Sequence, residues 1–268
     1  MKNTIRIMAS MLSIVILISI SGCGVGGNSK YRVDEKLAEQ EFCVGFRQTD
    51  KSGEAVIAAL EVLQASGKVG EISNKWFKED VSLLKGDANA LDSLSDKMKT
   101  RTFIIGYDAN RLPFSGTDDN NTAIGFDVEL AQAVCDELGW KVKFLPIDVS
   151  KANVELDSGN VDCVWGGLAY DAANTKKINQ SPVYMKNTIV LASLVGSKVK
   201  SIGSLSGQTL TLSDNAYYNA VLDGNEALKS KPAYIVRVKD GTAGSFKALN
   251  SNACGAIITD MAALDYYK

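Results

Sequence analysis

The chemistry open to this chain is bounded first by what it lacks. None of its 268 residues is histidine, so neither a Ser-His-Asp relay nor a histidine-ligated metal site can be assembled. Five cysteines, Cys23, Cys43, Cys135, Cys163 and Cys254, are scattered without a C-x-x-C spacing. Cys43 and Cys163 stand inside apolar runs and read as buried free thiols. Carboxylates are plentiful, but no close pair suggests acid–base catalysis, and nothing resembles a nucleophile elbow. There is no Walker A motif, no G-x-G-x-x-G, no EF-hand loop and no repeat at a solenoid period. Gly166-Gly167 is weak as a phosphate loop and better suited to letting backbone approach a bound molecule. Recognition without a metal, a cofactor or a covalent step is therefore expected.

Charge and the first residues set the compartment. Lys2 and Arg6 precede an apolar run, residues 7–20, that is short for a membrane span. Ile20-Ser21-Gly22-Cys23 resembles a lipobox, which makes residues 1–22 a lipoprotein signal peptide and Cys23 the acylated residue. Residues 23–30 then read as a flexible tether to a membrane surface. The formal charge is −2; removing Lys2 and Arg6 with the leader takes it to −4. With no basic stripe, nucleic acid is not an expected partner. The hydrophobic content, 46%, suffices for two modest lobes.

The elements that must position any site follow from periodicity. Residues 53–65 place Ala55, Val56, Ala59, Leu60 and Leu63 on one helical stripe, with Gly67 as a stop. A second helix carries Ile72, Trp76 and Phe77. Residues 102–107, 141–146 and 161–165 read as strands, and residues 126–138 as a helix ended by Gly139. Residues 209–212, 233–238 and 256–258 read as further strands, with helices from about Ala220, Thr242 and Met261. Strand–helix alternation of this kind implies parallel sheets with right-handed crossovers. Ligands then lie beyond the carboxyl ends of the strands, where the loops after Gly106 and Trp165 point.

Three phrases carry a family resemblance. TFIIGYDANRLPF at 102–114 and IGFDVEL at 124–130 resemble the opening of the amino-acid-type (family 3) extracellular solute-binding proteins of ABC transporters. EFCVGFRQTDKSGEAVIAALEVLQASGKVGEISNKWFKED at 41–80 resembles their closing phrase, yet here it comes first. The resemblance covers about residues 31–80 and 101–268. It implies a periplasmic-binding-protein-like α/β fold of two lobes joined by a two-strand hinge, circularly permuted. Residues 48–184 are expected as lobe 1, and 31–47 with 185–268 as lobe 2. Residues 85–100 would join the old C- and N-termini, and the new cut would fall between Lys268 and Tyr31. The crossings are expected near 42–47 and 184–191.

The same resemblance nominates site residues. Asp260, in GAIITD, matches the acidic residue that receives a ligand's α-ammonium, and Asp108 matches the acidic position after the first strand. WGGLAYDAANTKKINQSPVY aligns through Gly167, Ser181 and Tyr184 with the phrase that carries the carboxylate-gripping arginine, but Asn174 occupies that arginine's place. Asn215-Ala216-Tyr217 stands where a Gly-Ser-Thr turn is expected, and Arg111 where a cleft aromatic is usual. Phe114, Trp165, Gly167, Leu168 and Ala169 complete the expected lining. A hydrogen bond to a charged group contributes roughly 1.5–3 kcal/mol, so an amide in place of the guanidinium weakens a carboxylate grip about tenfold to a hundredfold.

Two accounts fit these departures. Arg111 moves the cation to the other wall and still receives an anionic ligand, or Asp260, Asp108, Trp165 and Tyr217 hold a cationic or amide-bearing compound by charge and ring contacts. Simpler roles stand beside them: a solvated loop residue for Arg111, core packing for Trp165, a surface position for Tyr217. The implied function is a lipid-anchored, extracytoplasmic, monomeric receptor on the bacterial cell membrane, not an enzyme. It would bind an amino acid or related polar solute and pass it to ABC permease subunits. The alternatives are a sensory or scaffold module without transport, and a dehydratase-like enzyme on the same fold.

Overall fold

The computed structural model describes residues 29–94 and 100–268. The expected leader, Cys23 and tether residues 24–28 lie outside that range, as do residues 95–99 of the expected linker. The chain runs β1 (Tyr31–Phe42), β2 (Gly45–Phe46), α1 (Ser52–Ala65), α2 (Lys68–Phe77), β3 (Thr102–Tyr107), β4 (Asn110–Arg111), β5 (Ser115–Thr117), β6 (Ala123–Ile124) and α3 (Phe126–Glu137). It continues through β7 (Lys141–Pro146), α4 (Ala152–Asp157), β8 (Cys163–Val164), β9 (Asn179–Gln180), β10 (Met185–Leu194), β11 (Thr209–Ser213) and α5 (Ala216–Asp223). It closes with α6 (Glu226–Ser230), β12 (Tyr234–Val238), α7 (Gly241–Asn250), β13 (Ala256–Asp260) and α8 (Met261–Tyr266). Among the described residues no helix is long and apolar enough to cross a membrane.

Two five-stranded mixed sheets organise these elements. The first has the order β7-β3-β8-β2-β9, with β3 parallel to β7 and β8, and β2 antiparallel to β8 and β9. The second has the order β1-β10-β13-β11-β12, with β11 parallel to β12 and β13, and β10 antiparallel to β1 and β13. Its inner strands β10, β11 and β13 are buried nearly throughout, as expected of strands covered on both faces. This is a periplasmic-binding-protein-like α/β architecture, each sheet with its helices making one half.

Helices α1 and α2 pack on α3 against the first sheet, so residues 52–77 complete a half whose remaining strands and helices come mostly from later in the chain. Val56, Leu60, Ile72, Phe103, Ile105, Leu130 and Val134 share one core there, with Trp76 and Phe77 partly buried against it. Gly67 adopts φ +81° between the helices, a left-handed turn that glycine enters without Cβ strain. The chain passes between the sheets at two places. β1 ends at Phe42 and β2 begins at Gly45, so the first passage is Cys43–Val44; the second is at Tyr184, before β10.

Three elements differ from the sequence expectation. β1 extends back to Tyr31, pairing with β10 through two register shifts. The third strand of the first sheet shrinks from residues 161–165 to Cys163–Val164. Helix α5 starts at Ala216 and not near Ala220, because the Asn215 side chain accepts the Tyr218 N–H at 2.9 Å and caps it.

Candidate functional site

Strand β4 is the first rung of a three-stranded ribbon in which Arg111 pairs with Ser115 and Asn110 with Gly116. The Ser115 hydroxyl donates to the Asp108 carbonyl at 2.7 Å and fixes the ribbon's root. This ribbon carries Arg111 out of the first half and into the second. There the guanidinium forks onto Asp260 at the end of β13, Nε to Oδ2 at 2.9 Å and Nη2 to Oδ1 at 2.8 Å. Nη2 also donates to Gln40 Oε1 at 2.6 Å, and Nη1 to the Gly167 carbonyl at 3.1 Å. Both charged side chains are fully buried.

Rings close the cage. The Arg111 Cζ atom lies 4.9 Å from the Tyr217 ring centroid, 5.1 Å from Phe42, 5.7 Å from Phe114 and 5.8 Å from Tyr218. Such geometry attracts a cation to the negative ring faces. Asp260 is equally saturated: besides the fork it accepts from Asn187 Nδ2 at 2.7 Å and from the Tyr218 hydroxyl at 2.7 Å. Burial alone would weaken the charge on Arg111, but the adjacent Asp260 carboxylate outweighs it and raises the guanidinium further. Gly167 makes the approach possible. Its φ is +74°, and a Cβ there would stand 3.0 Å from Arg111 Nη1.

A second buried carboxylate shapes the same wall. Asp127, in the first turn of α3, accepts the Tyr184 hydroxyl at 2.7 Å and the Gly167 N–H at 3.0 Å. It therefore ties the Gly167 turn to the passage at Tyr184. Burial pushes its carboxyl up to about 7, against the opposing pull of those two donors and Arg111.

The halves touch elsewhere too. Gly241 at the start of α7 has φ +64°, and a Cβ there would meet the Asn110 carbonyl at 2.5 Å. The Thr242 hydroxyl donates to that carbonyl at 3.2 Å. The Ala169 N–H donates to the Tyr217 hydroxyl at 3.2 Å, and Trp76 stacks on Tyr266 with centroids 6.0 Å apart. The molecule is closed.

Between the halves, at the carboxyl ends of β3, β7 and β11, a cavity of about 480 Å³ remains. Asp108 and Asp148 line it from the first half; Ser213, Asp214, Asn215 and Lys239 line it from the second. Among the described residues Asp108 has one hydrogen-bond donor, the Asn110 N–H at 2.9 Å. Burial raises its carboxyl, with Asp260 and Asp148 adding to the effect and Asn110 and Arg111 opposing it. Asp148 moves the other way, lowered chiefly by the Ser150 hydroxyl. Among the described residues no group of three or more metal-ligating side chains gathers.

The structure thus sorts the residues nominated from sequence. Arg111, Phe114, Gly167, Tyr217 and Asp260 meet at the cage, and Asp108, Asn215 and Ala216 line the outer cavity. Trp165 is core, packed against Tyr184 with centroids 6.3 Å apart. Leu168 is buried in a neighbouring cluster, and Ala169 reaches the site through its backbone. Asn174 lies in a single 3-10 turn, Ala172–Asn174. A solvated Arg111 is ruled out, because Asp260 and the rings enclose it. Both sequence accounts relied on a free charge at Arg111 or Asp260; each charge instead neutralises the other. Sequence reasoning missed Gln40, Phe42, Asp127, Asn187 and Tyr218. Of these, Phe42 and Asp127 stand inside phrases that carried the resemblance, EFCVGF and IGFDVEL, and Tyr218 stands three residues after a capping asparagine, while Gln40 and Asn187 carried no signal.

The family model for bacterial extracellular solute-binding proteins, family 3, matches residues 103–253. A probable amino-acid ABC transporter-binding protein of Haemophilus influenzae is 27% identical over 172 residues, 63% of this chain and 64% of that protein. Membrane-bound lytic murein transglycosylase F of an Enterobacter species is 26% identical over 162 residues, 58% of this chain and 31% of that protein. The chain thus spans less than two thirds of either relative. A solved ABC uptake transporter substrate-binding protein of Streptococcus pneumoniae with bound histidine is 26% identical, with a TM-score of 0.54 over 67% of this chain and 72% of that one.

Proposed function

Because the chain belongs to the bacterial extracellular solute-binding proteins, family 3, we propose that it is a lipid-anchored receptor holding a small polar solute between its halves for an ABC permease. The observation that carries this reading is the cavity of about 480 Å³ lined from both halves at the strand ends, where ligands of open α/β sheets bind. A solute there touches both walls, so its binding favours the closed form. Asp108, with a single donor among the described residues, suits an amine, amide or guanidine group, while Asn215 and Lys239 offer donors from the facing wall. The solute class is an amino acid derivative or similar compound whose recognition does not need Asp260. We read the chain as a binder and not an enzyme, since Asp127 and Asp260 are engaged by donors.

The permuted order belongs to the same proposal, with lobe 1 at 48–184, lobe 2 at 31–47 plus 185–268, and residues 85–100 as the join. Three features support it. Helices 52–65 and 68–77 complete the half containing β3. The Tyr31 hydroxyl donates to the Tyr267 carbonyl at 3.0 Å, bringing the two sides of the expected cut together. About a third of the Haemophilus relative goes unmatched, as a relocated tail requires.

A thermal-shift screen with amino acids, amides, polyamines and small dicarboxylates tests the binding reading. A solute at a hundred times its dissociation constant stabilises by about 2.7 kcal/mol; no shift from any of them, with no heat in titration calorimetry, overturns it. A module without transport is the second reading, favoured by the closed Arg111–Asp260 contact. Crosslinking to a permease in membranes separates the two.

A further inference from the structure

We propose that the deep part of the cleft is a guanidinium-binding site whose resident ligand is the chain's own Arg111. The site has the features of a ligand cage, not of an incidental ion pair. Four donor contacts from the guanidinium reach Asp260, Gln40 and the Gly167 carbonyl. These partners come from both halves, as do the rings: Phe114 from the first, Phe42, Tyr217 and Tyr218 from the second. A planar fork matched to a carboxylate is specific to guanidinium, and an ammonium, although it can sit over a ring, does not reproduce the fork. Gly167 leaves room for the occupant, since a Cβ there would stand 3.0 Å from Arg111 Nη1.

The consequence concerns selectivity and state together. A solute seeking Asp260 must first displace a fully buried cation paired to it, so free zwitterions are kept from the deep site and solutes are confined to the outer cavity. The tethered arginine supplies the contacts between halves that a bound molecule otherwise would, and the clamp closes without solute. The inference goes beyond the outer-cavity reading and does not need it. A chain that binds no solute can still be latched by Arg111, and a solute can bind outside even when the cage is not guanidinium-selective.

Arg111→Ala keeps Cβ, so ethylguanidinium is the fragment the variant lacks. Melting of wild type and R111A is followed with ethylguanidinium, and with ethylammonium and ethylurea as controls for charge alone and shape alone. The expected result is a lower melting temperature for R111A, recovering by about 3–5 °C with ethylguanidinium at tenfold excess over its dissociation constant. Neither control restores it beyond the shift it gives wild type, whose response reports the outer cavity alone. Equal recovery with ethylammonium, or none with ethylguanidinium in a folded R111A, overturns the proposal. Wild-type solution scattering without added solute is the second measurement and needs no variant. A curve matching the closed structure supports the latch, and an open or mixed population overturns it even if R111A fails to fold.

Discussion

Replacing Asp260 by asparagine isolates the charge at the centre of the closed molecule. The amide matches the carboxylate in size but turns one acceptor into a donor facing an Arg111 N–H, so the change removes the counter-ion of Arg111 and one arm of the fork. Removing one member of a buried pair costs about 3–5 kcal/mol, because the survivor is left charged in a desolvated place. At roughly 2–4 °C per kcal/mol for a chain of this size, the melting temperature should fall by about 6–20 °C. The lower end applies if the halves part and rehydrate Arg111, because opening then caps the penalty. Scattering reads that escape directly as an expanded particle.

The same pair supports a double-mutant cycle. Arg111→Met leaves Asp260 with two donors, Asn187 and Tyr218, whereas Asp260→Asn leaves the cation hydrogen-bonded to neutral acceptors: the amide oxygen, Gln40 and the Gly167 carbonyl. D260N should therefore cost more than R111M. The double variant should cost less than the sum of the two by about 2 kcal/mol, within the range of coupling seen for contacting residues. Urea denaturation of the four proteins gives the numbers. Additivity to within about 0.5 kcal/mol would refute the assignment of a direct, energetically coupled latch.

Gly167→Ala should destabilise by about 1–3 kcal/mol, since it forces a side chain into φ +74° and against Arg111; an unchanged melting temperature would contradict the close approach. Asp127 makes stability depend on pH. A free aspartate titrates near 4 and this one near 7, so across that window the folded protein keeps a proton that the unfolded chain has released. Its favourable contribution is present below about pH 4 and lost by about pH 7, by at most about 4 kcal/mol at 1.36 per unit. Asp127→Asn should flatten that slope in urea denaturation between pH 4.5 and 7.5, and an unaltered slope counts against the assignment. A rewired chain that starts at Arg101, joins Lys268 to Tyr31 by a short linker and ends at Asp80 should fold with the same circular dichroism spectrum and retain closure. A molten or aggregated product would argue against the permuted reading.

What could be read from sequence and what could not divide along the range of the interaction. Helix α1 was legible because its buried residues Val56, Ala59, Leu60 and Leu63 recur at helical spacing, and Gly67 marks its end by local geometry alone. Strands β3, β11 and β13 were legible as short apolar runs buried on both faces. Strand β1 was not, because its sequence YRVDEKLAEQEF is charge-rich and its faces are only half covered. It is extended because β10 lies beside it, a tertiary demand that outweighs local preference. The site shows the same division more sharply. Asn215 announces its cap within three residues, but Arg111 and Asp260 are 149 residues apart, and Gln40 and Asn187 approach the pair from a third and a fourth segment. Nothing near Arg111 in the chain distinguishes a solvated loop arginine from a caged one. That distinction arises only when the ribbon β4–β6 docks on the second half, so the residue identities were visible while their mutual neutralisation was not. A carboxylate matched to a ligand's ammonium by resemblance is therefore a statement about position; whether it is vacant depends on which other cation the closed fold brings to it.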